Sequence, residues 1–145
     1  MEPDEYKPKA SAKVRTRYHI VLVTKYRKRA LAGIETDVLA SIRNAECRSR
    51  FTIHRINTGD GNHVHMLVSI PPDMTISGTV GRIKQLSTHE LWEKRPDHLR
   101  HYYWGEHHRL WSGGYYCETV GRNSESVVER YIDGQQQAEA IHPRH

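Results

Sequence analysis

His63-Val64-His65 runs directly into the apolar segment Met66-Leu67-Val68-Ser69-Ile70. Side chains alternate between the two faces of a strand, so both imidazoles project from one side. Two neutral imidazoles aimed at one point can hold a divalent metal ion. The turn residues Gly59-Asp60-Gly61-Asn62 come just before, which sets the pair at the mouth of its strand, within reach of a substrate. Read alone, the same pair is two polar side chains on the solvated face of a half-buried strand. A second feature lies near the C-terminus, where Tyr131 and Gln135 are four residues apart. On a helix that spacing stacks a phenol and an amide on one face; without other residues it is a tyrosine at a core edge beside a solvated glutamine.

Positioning these groups needs a frame, and the periodicity supplies one. Residues 17–25 alternate, with Tyr18, Ile20 and Leu22 on one face and His19, Val21 and Val23 on the other, both largely apolar, as in a central strand. Ile34, Val38, Leu39, Ile42 and Ala45 recur at helical spacing over 34–49. A strand follows over 51–58, alternating Phe51, Ile53 and Arg55 with Thr52, His54 and Ile56. The histidine strand spans 62–70 and ends at Pro71-Pro72, which cannot donate ladder hydrogen bonds. Its other face, Val64, Met66, Val68 and Ile70, suits packing on helices, so the imidazoles point away from the main core.

A second helix fits 76–94, with Ile76, Val80, Ile83 and Leu91 on one stripe and Arg82 and Lys84 off it. Residues 95–108 read as irregular, and a last strand as 110–120. Ser124 is placed to cap a final helix over 124–138, with Glu125 in its first turn. The order strand, helix, strand, strand, helix, strand, then an added helix is the α+β, ferredoxin-like βαββαβ pattern: an antiparallel sheet with two helices on one face. Residues 1–14 read as a mobile arm, 15–138 as the domain and 139–145 as a tail.

At 145 residues with 37% hydrophobic content, the chain suits one domain with one modest core. No apolar run approaches the roughly 18 residues of a membrane span, and the opening Met1-Glu2-Pro3-Asp4-Glu5 is acidic, so a cytoplasmic protein is expected. Cys47 and Cys117 form no disulfide framework or zinc spacing and read as ordinary core or strand residues. Lys and Arg number 22 against 17 acids, a net charge of +5, and the excess is concentrated: Lys25, Arg27, Lys28 and Arg29 surround Tyr26. Basic residues interleaved with aromatics can neutralise phosphates and stack on bases, although a basic run is also what a solvated face looks like.

Taken together, the His63 and His65 pair, Tyr131 four residues before Gln135, and a basic ferredoxin-like frame resemble the HUH single-tyrosine transposases of the insertion sequence 200/605 family. Val23-Thr24-Lys25-Tyr26-Arg27 is similar to that family's first-strand exit, and Asn62-His63-Val64-His65-Met66-Leu67-Val68-Ser69 to its metal strand. Tyr103-Trp104-Gly105 and Leu110-Trp111-Ser112-Gly113-Gly114-Tyr115 resemble its signature before and within the last strand, and Tyr131-Ile132-Asp133-Gly134-Gln135 closes the match. Two positions depart from the pattern: Gly61-Asn62 stands where members often carry Pro-Asp, and Gly134 lies within the catalytic helix at a cost of about 1 kcal/mol relative to Ala.

The resemblance implies that Tyr131 attacks a phosphate of single-stranded DNA, forming a 5′-phosphotyrosine. It implies that His63, His65 and Gln135 hold Mg²⁺ or Mn²⁺, that no nucleotide cofactor is used, and that the DNA bears hairpins at element ends. A homodimer with composite sites is implied as well, and the short connection after the last strand suggests that the final helix reaches a neighbour's sheet more readily than its own. Lys25, Arg27, Lys28 and Arg29 are the first expected phosphate contacts, with Arg82 and Lys84 after them. A domesticated nuclease processing chromosomal repeats by the same chemistry, and a non-catalytic single-strand binder, stay open as alternatives. His107 and His108 are adjacent and would point apart on a strand; His19 and His54 read as packing or DNA-facing residues, and Tyr115 and Tyr116 as structural.

Overall fold

The computed structural model describes residues 16–121 and 129–133. Four strands form one antiparallel sheet: β1 (Thr16–Val23), β2 (Thr52–Asn57), β3 (His63–Ile70) and β4 (Tyr116–Val120), in spatial order β2-β3-β1-β4. Helices α1 (Glu35–Cys47) and α2 (Ile76–Lys94) follow β1 and β3 and pack on each other. This is the ferredoxin-like arrangement that the element order predicts.

Alternation along the two central strands creates the layers. Ile20 and Leu22 of β1 and Val64, Met66, Val68 and Ile70 of β3 join Val38, Ile42 and Ala45 of α1 and Val80, Ile83 and Leu91 of α2 in the main core. Fully burying such a side chain contributes ~1.5–3 kcal/mol. It also pins the register: a one-residue slip of β3 would exchange this apolar set for His63 and His65. On the opposite face, Leu67, Val120 and Ile132 form a second, small apolar cluster. Ile132 belongs to a helical stretch, residues 129–133, which this cluster seats on the sheet.

Helix α2 covers the span read from its periodicity, and Thr75 caps it by accepting a hydrogen bond from the Gly78 N–H at 2.9 Å. Four expectations change. Residues 95–108 contain a short helix, α3 (Pro96–Arg100), begun by a proline at a position where no backbone donor is needed. The expected last strand divides: Trp111 makes an isolated bridge to Thr24, Gly114 turns at a φ of 81°, and β4 starts only at Tyr116. Cys47 is exposed at the end of α1 rather than in the core.

The fourth change bears on function. Opposite one step of β3, from Val68 to Leu67, β2 takes two, from Ile53 to Arg55, so His54 sits in a β-bulge. Strict alternation would put Arg55 on the face of Ile53. The bulge instead sends Ile56 toward the core and turns Arg55 and Asn57 to the imidazole face. Ser124, Gln135, the N-terminal arm and the C-terminal tail lie outside the described residues.

Candidate active site

Cross-strand register assembles the site. On β3, His63 lies opposite Val23 and His65 opposite Val21, while His19 lies opposite Leu67, all on one face of the sheet. The His63 and His65 rings are edge to face with centroids 4.7 Å apart, as period-two alternation leads one to expect. His19 adds a third ring: its Nε2 is 3.3 Å from Nδ1 of His65, and the two planes stack at 18°. Both residues are buried. Nδ1 of His63 is 2.6 Å from Oδ1 of Asn62 and 3.6 Å from Oδ1 of Asp60. Gly59, at a φ of 61°, lies so close to the His63 ring that a Cβ there would overlap it.

Burial keeps His65 in its ligating form. Burial lowers the His65 pKa to about 4, helped by His63 and His19 nearby, so its imidazole is neutral at pH 7. Burial lowers the His19 pKa as well, partly offset by the Glu118 carboxylate. Two imidazoles on one face suit a divalent cation as part of its donor set. Among the described residues no group of three or more His, Cys, Asp or Glu side chains could complete that set. The expected third ligand, Gln135, lies outside those residues.

Tyr131 stands beside this cluster in the same chain. Its ring centroid is 5.8 Å from that of His65 and 6.0 Å from that of His19, in both cases edge to face. The ring is exposed, whereas its neighbour Ile132 is fully buried against Leu67 and Val120. Asn57 Nδ2 donates to the Ile132 carbonyl at 3.0 Å, and Arg55 faces Glu129 and Asp133 at 3.6 Å each. Those ion pairs are substantially solvated and contribute little; the buried isoleucine and the amide carry the docking. Within this single chain residues 129–133 sit on their own sheet.

A second phenol borders the cluster. Tyr116 lies 5.9 Å from His19 by ring centroids and donates to the Glu118 carboxylate. That hydrogen bond pushes the Tyr116 pKa above its ordinary value. His54 is half-buried in the bulge, and His108 stacks on Trp92 at 4.2 Å, away from His63 and His65.

The basic residues divide by what they already bind. Lys84 donates to the carbonyls of Ser112 and Gly114 at 2.9 and 2.7 Å, and burial lowers its pKa. Arg82 holds Ser49 Oγ and the Arg48 carbonyl, Arg29 the Asp60 carbonyl, and Lys28 the Tyr102 carbonyl while lying over the Trp104 ring at 4.5 Å. Lys25 and Arg27 form, with Tyr26, a single 3-10 turn in which Tyr26 and Arg27 have positive φ, 61° and 55°. Non-glycine residues pay roughly 1–2 kcal/mol each for that conformation. The turn is held by Lys25 N–H to the Leu110 carbonyl at 2.8 Å, by Tyr103 Oη to the Lys25 carbonyl at 2.9 Å, and by Thr24 Oγ1 to the Lys28 carbonyl at 2.6 Å.

Comparison with known proteins fits this arrangement. The sequence profile described as "Transposase IS200 like" matches residues 12–135. The chain belongs to the IS200-like transposase family. It is 35% identical over 121 residues to the transposase for insertion sequence element IS200 of Salmonella typhimurium, covering 82% of this chain and 76% of that protein. It is 28% identical over 123 residues to the ISDra2 transposase of Deinococcus radiodurans, covering 84% and 85%. Two solved structures share the fold of this IS200-like transposase. One, from Deinococcus radiodurans R1, has a TM-score of 0.64 at 24% identity, covering 83% of this chain and 91% of that one. The other is the REP-associated tyrosine transposase bound to a REP hairpin, with a TM-score of 0.59 at 15% identity, covering 89% and 68%.

His19 is the member of the cluster that sequence reasoning set aside. The signal was there: it lies on the β1 face opposite Ile20 and Leu22, and an antiparallel β1-β3 pair would place that face beside His65.

Proposed function

We propose that this IS200-like transposase cleaves and rejoins single-stranded DNA at hairpin-bearing element ends, with Tyr131 as nucleophile and His63, His65 and Gln135 as metal ligands. The observation that carries the reading is the docking of Tyr131 5.8 Å from His65, on the face where both imidazoles stand. The phenol oxygen attacks phosphorus: the Tyr131–phosphate bond forms, the bond to the 3′ oxygen breaks, the phenol gives up its proton and the leaving oxygen takes one up. The product is a 5′-phosphotyrosine and a 3′-hydroxyl, and attack by a 3′-hydroxyl on that ester restores both the DNA and the tyrosine. An ordinary phenol, with a pKa near 10, is a weak nucleophile at neutral pH. A divalent cation held by the imidazoles, Mg²⁺ or Mn²⁺, would polarise the scissile phosphate.

His19 supports this role from behind. With the proton on His65 Nδ1, donated to His19 Nε2, the Nε2 lone pair of His65 is free for a cation, as hydrogen-bonded metal histidines require. Asn62 Oδ1, 2.6 Å from Nδ1 of His63, can accept the proton of that nitrogen and so orient the ring.

The enzyme is read as cytoplasmic and DNA-associated; among the described residues no helix is long and apolar enough to cross a membrane. Phosphate contacts are assigned first to Lys25 and Arg27, then to Lys28 and Arg29, with Arg82 and Lys84 last. A homodimer with composite sites is part of the proposal; exchange of the helix between subunits requires Ile132 to leave its buried seat.

Labelled single-stranded end DNA with Mg²⁺ should give a covalent protein adduct, lost in Tyr131→Phe and on chelation. An adduct that persists in Tyr131→Phe refutes the nucleophile. Mixing His63→Ala with Tyr131→Phe tests the dimer: recovered cleavage supports sites shared between subunits, and none counts against them. Retained strand binding with no adduct under any metal would favour the non-catalytic reading.

A further inference from the structure

Five large hydrophobic side chains are exposed among the described residues: Tyr26, Trp104, Tyr115, Tyr116 and Tyr131. Three of them, Tyr26, Tyr115 and Tyr116, line a single cleft of about 400 Å³, together with Arg27 and Val23. Exposed aromatics gathered in one place mark a binding surface rather than chance exposure. The cleft adjoins the candidate active site through the sheet. Val23, in its wall, pairs directly with His63, and Tyr116 pairs with Val21, which in turn pairs with His65. Side chains so paired are about 5 Å apart, so whatever fills the cleft touches the neighbourhood of the imidazoles.

Backbone strain points the same way. Tyr26 and Arg27 both hold left-handed conformations that neither residue type favours, and three hydrogen bonds from outside the turn or around it keep them there. The result presents an exposed phenol ring and a guanidinium side by side at the rim. Strain that the surroundings enforce at a surface position is characteristic of ligand contacts.

We propose that this cleft is a nucleobase subsite, which takes an unpaired base of the single-stranded DNA next to the cleaved phosphate. Tyr26 and Tyr115 stack on the base, and Arg27 neutralises its phosphate. An aromatic wall with one cation fits a base and its phosphate, because every base offers a π face and every nucleotide one negative charge. A folded protein partner would need far more area than one cleft provides. The proposal rests on the reading of the protein as a single-strand DNA enzyme, and its test is kept separate from cleavage.

Two fluorescent probes carry the same phosphates: octathymidylate and an octamer of abasic tetrahydrofuran residues. Binding is measured by anisotropy without metal. The wild type should prefer octathymidylate, and Tyr26→Ala should lower that preference roughly 5- to 150-fold, the range for losing one stacked base. Tyr26→Trp should retain it, and Arg27→Ala should weaken both probes alike. Thermal melting checks that Tyr26→Ala is folded, which its exposure leads one to expect.

Photocrosslinking of octathymidylate carrying 5-iodouracil should label the peptide containing Tyr26 or Tyr115. No preference in the wild type, an unchanged preference in folded Tyr26→Ala, or labelling confined to peptides outside the cleft overturns the proposal. Covalent adduct formation at Tyr131 is scored independently. An adduct without the base preference defeats the subsite alone, and a Tyr26-dependent preference without an adduct defeats the catalytic reading alone.

Discussion

Lowering the pH from 7 to 5 should destabilise this transposase through His65 by an amount that its burial sets. The folded pKa is about 4 and the unfolded value 6.5. The folded imidazole thus refuses a proton that the unfolded one accepts, and stability is lost as the pH falls through 6.5, levelling off below about 4. At pH 5 an unfolded histidine is almost wholly protonated and the folded one only about a tenth. Linkage then takes about 2 kcal/mol from stability, of which about 0.2 is already lost at pH 7, leaving about 1.8 kcal/mol between the two conditions. Urea denaturation in chelator-containing buffer at pH 7 and pH 5 measures the difference. His65→Gln, which removes the titrating ring but keeps a polar side chain, should lose about 1.8 kcal/mol less than the wild type over the same interval. His19, also shifted down by burial, stays in both proteins and cancels to first order. Equal pH sensitivity in the two proteins would refute the argument that burial keeps His65 neutral. The same depression leaves His65 able to act as a neutral donor down to about pH 5.

Other consequences follow from the same geometry. His19→Leu should weaken Mn²⁺ binding about 10- to 100-fold, read by titration calorimetry, while His19→Gln, with a carbonyl that can accept from His65 Nδ1, should keep most of the affinity; equal losses would mean His19 only packs. Gly59→Ala forces a Cβ into the His63 ring at a positive φ, so it should weaken Mn²⁺ binding at least tenfold and lower stability by about 1–2 kcal/mol in denaturant titration. Arg27→Ala should reduce the slope of log affinity for single-stranded DNA against log salt by about 0.7, one phosphate contact. Lys84→Ala should leave that slope nearly unchanged and lower the melting temperature, because its ammonium is committed to the Ser112 and Gly114 carbonyls.

Much of the fold was legible in local pattern. Alternation along 62–70 identified the strand, its core face and the shared side of His63 and His65, because face assignment in a strand depends only on spacing. Helical recurrence over 76–94 located α2 for the same reason. The capping pattern of Ser124 and Glu125 also put Tyr131 on a C-terminal helix, and residues 129–133 are helical. Where the pattern failed, the deciding interaction was between segments far apart in the chain. The bulge at His54 reverses the face of Arg55, since it is registered against β3 and not within β2. The split of the last strand answers to the bridge between Thr24 and Trp111. His19 joins His65 only through the β1-β3 pairing, across 46 residues. Whether Tyr131 meets its own imidazoles was decided by Ile132 finding Leu67 and Val120, and by Asn57 reaching the Ile132 carbonyl across 75 residues. Periodicity states which way a side chain faces; which partner it finds there depends on the register of the sheet and the burial that stabilises it.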